Sequence, residues 1–296
     1  KLLNLLPSFY RGTYQAITGG LTQQIPTAVP FVDFNNDGAP DRAIGRWPVR
    51  NLDQLKLIVD KTLEWHADDS HRGDQTALFI ADANETQNNF VRSSNRLIAS
   101  LANDSAPWAQ VETVYQDDVN EDDAIPAGEK LAYVRNQIIE KMNQGPALTV
   151  YSGHASVGVW GKQSLVYNQV ANKFTNFGSP SIVLPLACYT TYYETPDVKS
   201  LAELMLTDNA AGAVVLSGAA LLSVSGDNER FGRRLLEKMT VDGLDIGTAT
   251  LQAEQEFLAS SPEYQTVVYN WVTLGDPSLG FGLPSIRPVS DPEDAV

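Results

Sequence analysis

The chain has 296 residues, 43% of them hydrophobic, which is enough for a sizeable core and fits one large α/β domain or two modest ones. With 36 acidic against 21 basic residues the formal net charge is −15, which argues against a nucleic-acid partner and against an anionic membrane surface. The single cysteine rules out an internal disulfide, and no apolar run approaches the roughly 18 residues of a membrane span.

The sequence opens at Lys1 without a Met or a recognisable signal peptide, so it reads as a mature product or an excised fragment. Residues 1–29 have weak periodicity and are set apart as an N-terminal extension. Residues 30–283 read as one domain, and 284–296 as a polar tail. Within the domain, Asn51 caps an expected helix with Leu52, Leu55, Ile58, Val59 and Leu63 on one face. Residues 76–82 read as a strand, 87–101 as a helix, and 111–115 as a short strand. Asp117, Asp118, Glu121, Asp122 and Asp123 then form an acidic loop. A helix over 129–143 buries Leu131, Val134, Ile138 and Met142. After an irregular stretch from His154 to Gly178 come a strand, a helix over 198–206, a strand over 211–217, and helices over 228–239 and 246–258. The alternation of 264–273 reads as a last strand. Strands alternating with helices imply βαβ units and a largely parallel sheet covered on both faces, a three-layer α/β/α sandwich.

Two apolar, β-branched runs, 146–151 and 181–187, read as buried parallel strands. The first runs into His154 and the second into Cys188. Chemistry in such sheets sits beyond the carboxyl ends of the strands, so neighbouring strands would let imidazole and thiol meet. Alone, Cys188 reads as a small buried hydrophobe and His154 as a satisfied loop histidine. Together at one sheet edge they suggest a Cys–His dyad, because a free thiol needs a base to become the attacking thiolate. His66 and His71 lie in a polar stretch and read as exposed. The backbone N–H groups of Cys188 and Ala155 are candidates for an oxyanion hole.

Gly153-His154-Ala-Ser with Trp160 downstream, the strand ending in Ala187-Cys188, and the closing Leu274-Gly-Asp-Pro-Ser-Leu279 resemble the gingipain-type cysteine peptidases of the caspase-like group. The segment from Asp37-Gly-Ala-Pro-Asp41 to Trp47-Pro48 is similar to the amino-terminal part of that family, and the resemblance runs over residues 30–283. It implies a caspase-like fold, a peptide or protein substrate, no cofactor for catalysis, His154 and Cys188 as the catalytic pair, and cleavage after a defined P1 residue, often a basic one. It also implies that Ser223, Ser225 and Asp227 flank the S1 pocket. One departure is Ala155, where the family usually has glycine. The CHAT domains share the His and Cys signatures and are an alternative, as is a non-catalytic binding module on the same fold.

Asp33, Asn35, Asp37 and Asp41 cluster oxygen ligands around Gly38 as calcium loops do, which raises the expectation of a structural calcium ion; the alternative is an Asx-rich turn that binds nothing. A carboxylate of the acidic loop is a candidate to orient His154. Phosphate-binding glycine loops, a Gly-x-Ser-x-Gly elbow and His-Glu-x-x-His are all absent.

Overall fold

A computed structural model describes residues 8–12, 24–67, 75–101, 108–194 and 197–281; His71 and the tail 284–296 lie outside them. The centre is a six-stranded sheet. In chain order its strands are β3 (Gln75–Ala81), β4 (Trp108–Tyr115), β5 (Leu148–Ser152), β9 (Ser181–Leu186), β10 (Ala213–Ala219) and β11 (Trp271–Gly275), and in space they run β11-β10-β9-β5-β3-β4. All pairs are parallel except β10 with β11. Strand alternation feeds two cores: in β3, Leu78 and Ile80 enter one while Ala77, Phe79 and Ala81 enter the other. One face is covered by α2 (Phe90–Leu101), α7 (Ser225–Thr240) and α8 (Ile246–Ser260), and the opposite face chiefly by α4 (Lys130–Asn143). The architecture is the three-layer α/β/α sandwich expected. Each large apolar side chain fully buried between these layers contributes roughly 1.5–3 kcal/mol.

Several elements differ from the expectation. Within residues 1–29, β1 (Phe9–Gly12) and β2 (Gln24–Thr27) pair antiparallel, and Ile25 is buried in the core. Ser8, just before β1, and Tyr10 within it hydrogen bond the Glu194 carboxylate through their side chains. Residues 116–121 of the acidic loop form a short helix, α3 (Gln116–Glu121). The stretch after His154 contains a small antiparallel sheet of β6 (Ala155–Ser156), β7 (Val159–Trp160) and β8 (Val166–Tyr167), followed by α5 (Asn168–Ala171). The expected strand over 264–273 divides into α9 (Gln265–Asn270) and β11. The cause is the length of its neighbour: β10 ends at Ala219, opposite Trp271, so residues before Trp271 have no ladder to join.

The helix α1 (Leu52–Ala67) is capped by Asn51, whose Oδ1 accepts the Gln54 N–H at 2.9 Å, but it buries another face than expected. Leu52 and Leu63 are 80% and 60% exposed, and the inward stripe is Gln54, Ile58, Lys61, Thr62 and Trp65. The reason lies in what this face meets. Ser200 caps α6 (Leu201–Glu203), which continues as a π-turn, Leu204–Asp208, whose end leaves carbonyls unpaired inside the fold. Lys61 Nζ donates to the carbonyls of Met205, Asn209 and Ala211 at 2.8, 2.9 and 3.0 Å, and Gln54 Nε2 donates to Asp208 Oδ1 at 2.9 Å. A polar stripe is the complement of that carbonyl-rich end.

Burial pushes the Lys61 ammonium down to about 7 from 10.5, with Glu64 pulling the other way. Between those values the unfolded chain holds more protons at this residue than the folded one, so its contribution makes the fold more stable as pH rises from about 7 towards 10. In Lys61→Met that part of the slope disappears. Denaturation midpoints at pH 7 and 9.5 should differ between the parent and this variant by an amount equivalent to on the order of 1 kcal/mol or more; parallel pH trends in both would overturn it.

Candidate active site

Strands β5 and β9 are neighbours and pair in register, from Leu148 opposite Ile182 to Ser152 opposite Leu186. His154 and Cys188 each lie two residues beyond that last pair, on strands about 4.8 Å apart, so the pairing delivers both to one edge of the sheet.

The His154 turn is fixed from below. Gly153 has no space for a side chain: a Cβ there would lie 2.1 Å from Tyr151 Oη and 2.6 Å from Asp82 Cβ. The His154 carbonyl accepts from the Tyr151 hydroxyl at 2.6 Å and from the Gly161 N–H at 2.7 Å. The His154 N–H donates to Asp82 Oδ2 at 3.2 Å. Asp82 is 1% exposed and also accepts the N–H groups of Lys162 and Ala83 at 3.2 and 3.0 Å, so a buried carboxylate is satisfied entirely by backbone donors. Around the ring, Phe90 packs edge-on at 5.3 Å, and Nε2 lies 3.1 Å from Glu85 Oε2. Hydrogen bonds from Lys162 and then His154 hold the Glu85 carboxyl down to about 2. An ionised Glu85 accepts only, so the His154 Nε2–H is the donor in this contact.

The Cys188 thiol is half-buried, and among the described residues its hydrogen bonds go to Ser223: Sγ takes the Ser223 N–H at 3.3 Å and the hydroxyl at 3.6 Å, and faces the Ser223 carbonyl at 3.5 Å. The Ser223 hydroxyl is itself held by Asn228 Nδ2 at 2.7 Å. Tyr189, at φ 56°, turns the chain away from β9 and anchors on the Leu221 carbonyl at 3.0 Å. The Cys188 N–H, outside any strand or helix, has no acceptor among the described residues. Because His154 and Gly161 form a hydrogen-bonded pair, the next pair in that ladder, Ala155 with Trp160, is a non-bonded one, and the Ala155 N–H points away from β7.

The structure thus brings His154, Cys188, Ala155 and Ser223 to one edge. Ser225 opens α7, and Asp227, in the first turn of that helix, is ion-paired with Arg230. Ser223, Asp227 and Asn228 share the wall of a cavity of about 10 Å³ with Asn270 and Trp271. No carboxylate of the 117–123 segment faces His154. Asp117 instead takes the Asn84 N–H at 3.0 Å, and Glu85 is the residue that meets the ring. Glu85 and Asp82 were not anticipated, although both follow β3, which pairs in register with β5, and so belong to the same sheet edge. In the 33–41 turn, Asp33 takes the N–H groups of Asp37 and Gly38, Asn35 that of Asp37, Asp37 that of Ala39, and Asp41 that of Phe34, all at 2.7–3.1 Å. Among the described residues no group of three or more His, Cys, Asp or Glu side chains stands together to hold a metal ion.

Among solved structures the fold is similar to that of the Arg-specific cysteine proteinase gingipain R (RgpB), with a TM-score of 0.72 at 17% identity over 86% of this chain and 59% of that one. It is also similar to the complex of Porphyromonas gingivalis RgpB pro- and mature domains, with a TM-score of 0.70 at 18% identity over 86% of this chain and 60% of that one. A third neighbour, described as a protease, has a TM-score of 0.65 at 15% identity over 87% and 60%. The chain spans about three fifths of the length of these neighbours. No curated protein matches it by sequence. The model of peptidase family C25, by contrast, matches residues 3–281. That match covers nearly the whole chain and decides between the gingipain-type and CHAT-type resemblances: the chain belongs to peptidase family C25, the gingipain family.

Proposed function

We propose that this chain is a cysteine endopeptidase in which Cys188 is the nucleophile and His154 the proton carrier, with peptides or proteins as substrates. The observation that supports the reading is the register of β5 on β9, whose ends bring the chain at His154 and at Cys188 to the same edge of the sheet. His154 Nδ1 takes the thiol proton, and the sulfur attacks the scissile carbonyl carbon. The resulting oxyanion lies against the N–H groups of Cys188 and Ala155. The imidazolium, steadied by Glu85, gives its proton to the leaving amine. Water, deprotonated by the same ring, then cleaves the thioester. Thiol and imidazole supply nucleophile and proton transfer, so the chemistry requires no cofactor. Gingipain-family proteases are extracellular or surface proteins, and a secreted or surface location is part of the proposal; no helix among the described residues is long and apolar enough to cross a membrane.

Cys188→Ala should lower kcat by at least about a thousandfold, and His154→Ala by nearly as much, because members of a catalytic unit do not act additively. Both variants should fold. A thiol-reactive peptide electrophile should label the parent rapidly at neutral pH. A non-catalytic binding module would show neither turnover nor fast labelling.

A basic P1 preference is the finer part of the proposal. It draws on the Arg-specific neighbour and on Asp227, whose carboxylate here carries Arg230. An incoming arginine side chain takes over that carboxylate and displaces Arg230 from it. Asp227→Asn should therefore weaken cleavage after Arg roughly tenfold or more while sparing neutral P1 residues, and Arg230→Gln should favour cleavage after Arg. Best cleavage after neutral residues in the parent would remove Asp227 from specificity and leave the catalytic pair standing.

For the Asp33–Asp41 turn we propose a structural calcium ion added to the existing hydrogen bonds. Calcium should raise the Tm of chelator-treated protein, and Asp37→Ala should abolish the rise. A Tm equal in calcium and chelator would leave a self-closed Asx turn.

A further inference from the structure

Glu85 does not serve His154 alone. Its Oε2 meets the imidazole at 3.1 Å, and its Oε1 carries the ammonium of Lys162. Lys162 is placed there by its backbone as well: its N–H donates at 3.2 Å to Asp82 Oδ2, the same oxygen that takes the His154 N–H at 3.2 Å. One buried carboxylate fixes both main chains, and one partly exposed carboxylate joins both side chains. The turn that delivers Lys162 is specific too. Gly161 has φ +84°, and a Cβ on it would lie 2.7 Å from Leu165 Cγ, so only glycine fits before the lysine.

The charged and titratable groups around His154 come from three connections. Asp82 and Glu85 follow β3, and Lys162 follows β7; Cys188, two residues beyond β9, lies at the same sheet edge; Tyr151 Oη touches the His154 carbonyl, and α2 contributes the uncharged Phe90 ring. Glu85 alone would hold an imidazolium firmly. A second cation on the same carboxylate takes part of that attraction and repels the imidazolium directly.

We propose that Lys162 is a positioning residue that sets the pH range over which His154 takes up and releases its proton, by sharing the Glu85 carboxylate with it. The proposal rests on the reading of His154 as the proton carrier. Without Lys162, the undivided Glu85 charge favours the imidazolium more strongly. The Lys162 side chain is 65% exposed, so the influence is screened by salt.

The test is an NMR titration of the imidazole resonances, His154 being assigned against the other two histidines with His154→Ala, alongside the pH profile of kcat/KM on a peptide substrate. In Lys162→Gln at low salt, the His154 titration and the acid limb should both move up by about half a pH unit, roughly what one charge some 6 Å away contributes through a water-like dielectric. Lys162→Arg should restore both, and 1 M salt should erase the difference. A Lys162→Gln titration superimposable on the parent's, or displaced downwards, would overturn the proposal. A parent that cleaves no peptide, together with a displaced titration in Lys162→Gln, would overturn the peptidase reading and support the coupling.

Discussion

The parallel pairing of β3, β5 and β9 is the constraint on which the site depends. Three strands in register end at Ala81, Ser152 and Leu186, and each is followed within two residues by a residue of the site or its support: Asp82, His154 and Cys188. A one-residue slip of either pair would move those residues along the edge and turn alternate side chains to the wrong core. The buried faces resist such slips, since Phe79, Val150 and Leu184 belong to one core and Ile80, Tyr151 and Val183 to the other. Packing within the two cores thus sets where along the sheet edge the chain reaches Asp82, His154 and Cys188.

Beyond the strand ends, order comes from hydrogen bonds to the backbone. Asp82 gathers three N–H groups, Tyr151 closes on the His154 carbonyl, and Thr190 and Thr191 tie the residues after Cys188 to carbonyls of Pro185 and Gly218 at 3.0 and 2.9 Å. Such bonds hold main chain rather than side chain. They fix the backbone that carries the His154 ring and the Cys188 thiol and leave both side chains outside those bonds.

The strands and the two residues beyond them were legible in the sequence because β5 and β9 are unbroken apolar runs, a signal that needs no tertiary context. The α4 stripe of Val134, Ile138 and Met142 was legible for the same reason. Glu85 was not, because nothing local distinguishes it from other loop carboxylates; its role follows only once β3 is known to lie beside β5. The face of α1 was misread because its partner is a ring of carbonyls rather than an apolar surface, so Lys61 and Gln54 point inward where a hydrophobic pattern looks for leucine. The helix α9 was missed because its alternation imitates a strand, and only the end of β10 tells them apart.

The contacts of β1 with Glu194 tie together parts of the chain far apart in sequence. Ser8 and Tyr10 reach a residue some 185 positions later, just beyond the segment that begins at Cys188. Closing so long a loop carries an entropic cost that neighbouring contacts must first offset, so this brace is expected to form late, after the central sheet has drawn the two regions together. The order of assembly follows from connectivity: the sheet edge comes first and the fastening beyond the thiol afterwards. A growing or partly folded chain therefore carries a cysteine and a histidine but no completed surroundings for them.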